Sequence, residues 1–222
     1  MNRFIKTSQD LSLLAEMHDS VLVSYSGGKD SLVCLDLASR AFKRVVCFFM
    51  YLVPGLDVIE RQLAYARDRY GVEVLYYPHI SLAKFYKNEV FCPALYKWDN
   101  VKELNLGYVY SAVSRDTGID LIMTGAKKAD SLWRRTKFFS FARRDNVVHP
   151  LVDWNKYDVL AYLGIHNIPL PDSSGRAATG VDLSTPSLCW LYDNHPGDFR
   201  KLCEYFPYAE SVIYRREWYG IE

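Results

Sequence analysis

Short apolar runs and amphipathic stretches alternate along the chain, and this alternation predicts most of its elements. Val21-Leu22-Val23-Ser24-Tyr25 is a β-branched run that ends at Ser26-Gly27-Gly28. A run that short, closed by glycines, predicts a strand covered on both faces that enters a tight turn. Residues 44–51, with Val45-Val46-Cys47-Phe48-Phe49-Met50 inside them, and residues 72–77 predict two further strands; 119–124 predict a fourth and Val147-Val148 a short fifth. Between them, apolar positions recur at helical spacing over 8–19, with Leu11, Leu13, Leu14 and Met17 apolar and Ser8 as the expected cap, and again over 31–42, 56–70, 105–117 and 155–165. Gly71 is the expected stop of the third of these helices. Beyond residue 171 the chain holds Pro, Gly and helical pieces without a strand signal.

Strands separated by helices pair in parallel through crossovers that cover both sheet faces. The expected fold is therefore a three-layer α/β/α arrangement: a mostly parallel, Rossmann-like five-stranded sheet with a mainly helical C-terminal cap. Residues 1–171 are expected to form the α/β domain, and 172–222 a helical extension packed on it.

Composition changes this picture by exclusion. The chain has 222 residues, 27 Lys+Arg and 26 Asp+Glu, for a formal net charge of +1. Binding to a nucleic-acid duplex draws mainly on a surplus of cations against phosphates, so any anion site here must be local. No stretch approaches the roughly 18 uninterrupted apolar residues of a membrane span. The first residues lack the apolar core of a secretory signal, and a cytoplasmic protein without a membrane partner is expected. Five cysteines, Cys34, Cys47, Cys92, Cys189 and Cys203, are scattered without a C-x-x-C. That pattern fits reduced thiols better than a disulfide framework or a zinc knuckle.

The residues richest in chemistry are Ser26-Gly27-Gly28-Lys29-Asp30-Ser31, between the first strand and the next helix. Ligands of parallel sheets bind beyond the carboxyl ends of the strands, where this segment falls. Two glycines let successive N–H groups face an anion, and the following helix N-terminus adds partial positive charge. Ser26 and Ser31 add hydroxyls, and Lys29 adds a cation. Asp30 would repel a phosphate directly, which leaves it helix capping or Mg²⁺ that bridges phosphate oxygens. The segment is not a Walker A loop, since Val23 stands where that motif needs its first glycine and Asp30 where it needs Ser or Thr.

After a first strand, this hexapeptide resembles the PP-loop of the adenine nucleotide alpha hydrolase superfamily. Further stretches resemble its phosphoadenosine phosphosulfate (PAPS) reductase branch. Thr124-Gly125-Ala126-Lys127-Lys128-Ala129-Asp130-Ser131 is similar to that branch's T-G-x-R-x-x-[EQ]-S. His149-Pro150-Leu151-Val152-Asp153-Trp154, with Asp158-Val159-Leu160-Ala161-Tyr162-Leu163 and Asn167-Ile168-Pro169, is similar to its P-L-x-D-W…D-V-W-x-Y-[IL]…N-I-P run. The resemblance covers residues 21–171 and implies a PP-loop nucleotide-binding domain that takes ATP, adenylyl sulfate or PAPS with Mg²⁺ and acts at the α-phosphate. The nucleotide site it implies comprises Ser24, Ser26, Gly27, Gly28, Lys29, Asp30, Ser31, Met50, Tyr51, Thr124, Gly125, Lys127, Lys128, Arg134 and Arg135. Met50 and Tyr51 would seat the adenine through backbone groups. Lys29, Asp30 and Lys127 are the expected catalytic residues, with Asp30 on the metal.

The chain also departs from that branch. Its reductases carry a cysteine in a C-terminal E-C-G-[LI]-H, whereas Arg216-Glu217-Trp218-Tyr219-Gly220-Ile221-Glu222 contains none. The Cys-Cys and C-x-x-C of the iron–sulfur subgroup are missing from the sequence, so no cluster is expected. Phe49-Met50-Tyr51-Leu52-Val53-Pro54-Gly55 stands where the family has an Asp-Thr-Gly-like turn, and Lys127 replaces its Arg, losing a planar fork. These departures favour adenylyl transfer with pyrophosphate release, an ATP pyrophosphatase type of chemistry that readies an acceptor, a nucleic-acid base or a small molecule, for sulfur or nitrogen transfer. Sulfonucleotide reduction, with Cys189 as candidate nucleophile, is one alternative, and a nucleotide-binding module without turnover is another. Arg134, Arg135, Lys137, Arg143 and Arg144, interleaved with Phe138, Phe139 and Phe141, could grip phosphates or a short nucleic acid. Asp153, Trp154, His149, His195 and Cys203 read as structural, and the aromatic residues of 205–219 offer a homodimer interface.

Overall fold

The computed structural model describes residues 3–94, 100–137, 146–171 and 181–220. Its centre is a five-stranded sheet in the order β3-β2-β1-β4-β5, made of β1 (Ser20–Ser24), β2 (Arg44–Tyr51), β3 (Glu73–Pro78), β4 (Ile122–Thr124) and β5 (Val147–Val148). β1 pairs in parallel with β2 and β4, so that Ser24 stands opposite Phe48 on one side and Thr124 on the other. Val21, Leu22 and Val23 are each 0% exposed, which is why this run shows no apolar–polar alternation: both of its faces are covered. The chain runs outward from β1 to β2 and β3, then returns to place β4 and β5 on the other side of β1. The carboxyl ends of β1 and β4 therefore flank the point where the strand order reverses.

The helices of the described residues are α1 (Arg3–Met17), α2 (Lys29–Ala41), α3 (Asp57–Tyr70), α4 (Leu82–Lys87), α5 (Leu106–Thr117), α6 (Leu132–Lys137), α7 (Lys156–Ile165), α8 (Thr185–Asn194), α9 (Pro196–Tyr205) and α10 (Glu210–Tyr219). The three-layer expectation and the helical C-terminal part are both realised. The first helix differs, because α1 starts at Arg3 and Ser8 lies in its interior, its carbonyl accepting from Ser12 Oγ at 2.9 Å. Tertiary contacts extend it: the Phe4 ring lies 4.7 Å from Trp154, and the Trp154 indole N–H donates to Thr7 Oγ1 at 3.0 Å. β4 is shorter than its apolar run, and α4 and α6 escape periodicity because six residues span less than two turns. Among the described residues no helix is long and apolar enough to cross a membrane.

The residues group into two compact units. The first comprises Met1–Phe49, Tyr65–Leu75 and Tyr110–Pro171; the second comprises Met50–Ala64, Tyr76–Val109 and Asp172–Glu222. In the first, Asp36 on α2 is 2% exposed and receives Arg40 Nε at 2.6 Å, the Tyr162 hydroxyl at 2.7 Å and the Tyr70 hydroxyl at 3.2 Å. Burial alone would raise its pKa, but these donors outweigh burial and hold the carboxyl below its ordinary value. In the second, Asp198 accepts the backbone N–H of Asp57 at 2.7 Å and of Val58 at 2.8 Å, so a residue of α9 caps the first turn of α3. The Tyr86 and Phe206 rings stack at 5.4 Å, and Arg216 of α10 makes two 2.8 Å bonds to Asp193 of α8.

Candidate functional site

The loop after β1 is shaped by its own glycines and serines. Gly27 has φ +73°, a left-handed conformation that glycine adopts without strain. Gly28 is the N-cap of α2 and brings no capping side chain, so the helix's first amides are not covered by their own cap residue. Ser31 is 4% exposed; its Oγ donates to the Gly28 carbonyl at 2.9 Å and accepts from the Ser26 amide at 3.2 Å. The Ser26 hydroxyl also reaches it, at 3.1 Å. Ser31 thus holds the loop's shape, and Ser26 is the more exposed of the two hydroxyls.

The loop after β4 lies directly against this turn. A Cβ on Gly125 would stand 2.9 Å from the Asp30 carbonyl carbon and 3.0 Å from both the Asp30 oxygen and the Ser31 nitrogen. Any side chain there would meet backbone, so glycine is what allows the two loops to touch. That close approach places Lys127, whose side chain is 4% exposed, with its ammonium 2.6 Å from Asp30 Oδ2 and 3.0 Å from Asp130 Oδ1. Lys29 also reaches Asp30 Oδ2, at 3.2 Å. Asp130 Oδ2 accepts the Lys127 amide at 3.1 Å and pairs with Arg134. Burial works to raise the Asp130 pKa, and the Lys127 and Arg134 charges overcome it and lower it. The result is an alternating row of charges, Lys29, Asp30, Lys127, Asp130 and Arg134, across the carboxyl ends of β1 and β4.

Thr124 and His149 share a 2.7 Å hydrogen bond beside this row. Burial, with the Arg134 charge as a smaller cause, moves the His149 pKa down to about 4, so the ring is neutral at neutral pH. Lys128 points elsewhere: its ammonium pairs with Asp153 Oδ1 at 2.6 Å and its amide donates to the Val152 carbonyl. Arg135 is exposed on α6. Met50 and Tyr51 end β2 and belong to the second unit, where the Tyr51 carbonyl accepts from the His79 amide at 2.9 Å. Phe138, Phe139, Phe141, Arg143 and Arg144 lie outside the described residues. Cys189 is half-buried on α8 in the second unit, and Cys34, Cys47 and Cys92 are buried. Burial pushes the Cys47 thiol up to about 12 and raises Cys34 as well, which makes both poor nucleophiles.

Sequence reasoning passed over Asp130 and His149 as site residues. Asp130 was findable, since it stands three residues after Lys127 and four before Arg134, spacings at which side chains of one helical turn meet. His149 carries no such signal, because it follows β5 and its partner Thr124, at the end of β4, is far away along the chain.

Asp30 Oδ1 is buried and has no hydrogen-bond partner among the described residues. A buried carboxylate oxygen left unpaired is costly, and a hard divalent cation is a fitting partner for it. Among the described residues no group of three or more His, Cys, Asp or Glu could hold a metal ion by itself. Asp30 therefore suits Mg²⁺ that takes its other ligands from phosphate and water, the usual manner of that ion at nucleotide sites.

Residues 20–172 match the family model of the phosphoadenosine phosphosulfate reductase domain. No curated protein matches the chain. Among solved structures, the NH3-dependent NAD synthetase from Campylobacter jejuni, in complex with the nitrate ion, is similar with a TM-score of 0.52 and 12% identity, over 99% of this chain and 95% of that one. The U34-tRNA thiolase from Methanococcus maripaludis, with its 4Fe-4S cluster, is similar with a TM-score of 0.51 and 17% identity, over 95% of this chain and 80% of that one. At these identities the likeness is one of fold, the adenine nucleotide alpha hydrolase type. The match to the family model begins with β1, takes in both loops of the charge row and α7, and spans more than half of the residues, so the chain belongs to the phosphoadenosine phosphosulfate reductase domain family.

Proposed function

We propose that the protein binds an adenine nucleotide on the glycine loop of residues 26–31 and uses it as an adenylyl donor. The observation that carries this reading is the contact of the two loops at the strand-order reversal, with Gly125 against the Asp30 backbone and Lys127 on its carboxylate. The loop amides and Lys29 hold the β- and γ-phosphates, and Lys127 with Arg134 supplies positive charge for the α-phosphate. Mg²⁺, held by Asp30, neutralises phosphate oxygens when bound. A lone pair on the acceptor forms the new bond to the α-phosphorus; the bond to the bridging oxygen breaks, pyrophosphate leaves with that electron pair, and the acceptor's proton passes to solvent. The acceptor class proposed is a nucleic-acid base or a small molecule that then receives sulfur or nitrogen.

Membership of the reductase domain family favours a second reading, in which a thiolate attacks the sulfate sulfur of PAPS or adenylyl sulfate, the sulfur–oxygen bond breaks and the nucleotide 5′-phosphate leaves, and an external thiol reductant then attacks the cysteine sulfur of the S-sulfonate, forming a disulfide and releasing sulfite. Cys189 is the candidate, being only half-buried. Thermal shifts with ATP, adenylyl sulfate and PAPS, each with and without Mg²⁺, separate the two readings. A ligand at a hundredfold excess over its Kd stabilises the native state by about 2.7 kcal/mol. Preference for Mg²⁺–ATP, with pyrophosphate release that persists in Cys189→Ala, supports adenylyl transfer. Preference for a sulfonucleotide, with sulfite release lost in Cys189→Ala, replaces it with reduction. ATP binding without either product leaves a binding module.

A further inference from the structure

Lys127 is an unusual cation for a loop that faces a ligand, because it is sealed between two carboxylates rather than presented to solvent. Its ammonium is the nearer of two that meet Asp30 at Oδ2, 2.6 Å against 3.2 Å for Lys29, while Asp30 Oδ1 is buried without a hydrogen-bond partner among the described residues. One oxygen of this carboxylate is thus satisfied from within the protein, and the other is relieved only by a donor or a cation. A divalent ion on Asp30 would add two positive charges within a few ångströms of the ammonium, and at such spacing like charges repel strongly. The ammonium has a second place to go, since Asp130 Oδ1 is already 3.0 Å away and is itself held by the Lys127 amide and Arg134 through Oδ2.

We propose that Lys127 is a tethered counter-ion that neutralises Asp30 in the nucleotide-free protein and is exchanged for a divalent cation when nucleotide binds, with Asp130 as the positioning residue that retains the displaced ammonium. This rests on the reading of Asp30 as the metal ligand. Its consequence is selectivity: free divalent ions compete poorly with Lys127, whereas an ion that arrives with nucleotide phosphates brings negative charge of its own, so the site takes the ion and the nucleotide together.

The test is a calorimetric titration of the full chain with Mn²⁺ in the absence of nucleotide, paired with NMR of the lysine ammonium groups. Lys127→Met, which keeps most of the stem and removes the charge, is expected to bind Mn²⁺ about tenfold tighter than wild type or better, a gain worth about 1.4 kcal/mol. Asp30→Asn added to Lys127→Met is expected to abolish that gain. In the wild-type protein the Lys127 ammonium signal, assigned by its loss in Lys127→Arg, is expected to shift when Mg²⁺ and α,β-methylene-ATP bind. Unchanged Mn²⁺ affinity in Lys127→Met, or a Lys127 signal indifferent to the bound complex, overturns the exchange. The Asp30 reading fails separately, if the gain in Lys127→Met survives Asp30→Asn. The spectrum needs the wild-type protein and Lys127→Arg, which keeps the positive charge, so the proposal stays testable if Lys127→Met does not fold.

Discussion

The Lys127 ammonium sits 2.6 Å from Asp30 Oδ2, and this contact joins the loop after β4 to the first turn of α2. It is also where stability and ligand chemistry meet. Removing one partner of a buried ion pair leaves the other charge uncompensated. Lys127→Ala leaves Asp30 to Lys29 and Asp130 to Arg134, and because both carboxylates are about a quarter exposed a loss of only about 1–2 kcal/mol is expected in urea unfolding. Lys127→Arg should recover part of that loss, since the charge is kept while its reach and shape change.

Gly125→Ala should be costly out of proportion to one methyl group. The added Cβ would stand 2.9–3.0 Å from the Asp30 and Ser31 backbone, which cannot rotate away as a flexible side chain would. The two loops must separate, at about 1–3 kcal/mol of stability. Calorimetry with ATP should show weaker binding in the same variant; undiminished affinity would place the nucleotide away from this contact.

The Asp36 carboxylate gives the fold an acid limb. Its folded pKa is lowered, so its contribution is present above its unfolded value of about 3.9 and is lost as pH falls through the folded value. Asp36→Asn should lower stability near neutral pH by about 2–3 kcal/mol and flatten the decline in acid. Denaturant melts between neutral pH and strongly acidic pH read both effects. Tyr162→Phe, which removes a 2.7 Å donor, should do the same more weakly.

Asp198 tests the capping of α3 from a distant part of the chain. Both oxygens accept amides of that helix's first turn, and loss of such a cap costs about 1–2 kcal/mol. Asp198→Ala should show that loss in thermal unfolding, with faster hydrogen exchange at Asp57 and Val58. Asp198→Asn, which keeps one acceptor, should fall between the two.

The elements legible in the sequence share one property, which is that neighbouring residues specify them. β2 and β5 occupy the residues that their apolar runs mark, because strands covered on both faces need nothing but such a run and a stop. The Gly27-Gly28 turn is legible for the same reason: a positive φ and an uncapped helix start are local demands. From these follow the α/β fold, the place of the loop and the family motifs.

Other features depend on residues far apart along the chain, and no local pattern announces them. The extension of α1 to Arg3 depends on Phe4 and Thr7 finding Trp154, and the start of α3 on Asp198. Lys127 read alone is a cation after a strand; only the packing of Gly125 on the α2 backbone puts it on Asp30, while Lys128, its neighbour, is drawn to Asp153. Periodicity, capping and turn chemistry act over a few residues and can be read in one dimension. Which charges neutralise each other once buried depends on distances of a few ångströms between chain-distant groups, and those distances exist only in the folded molecule.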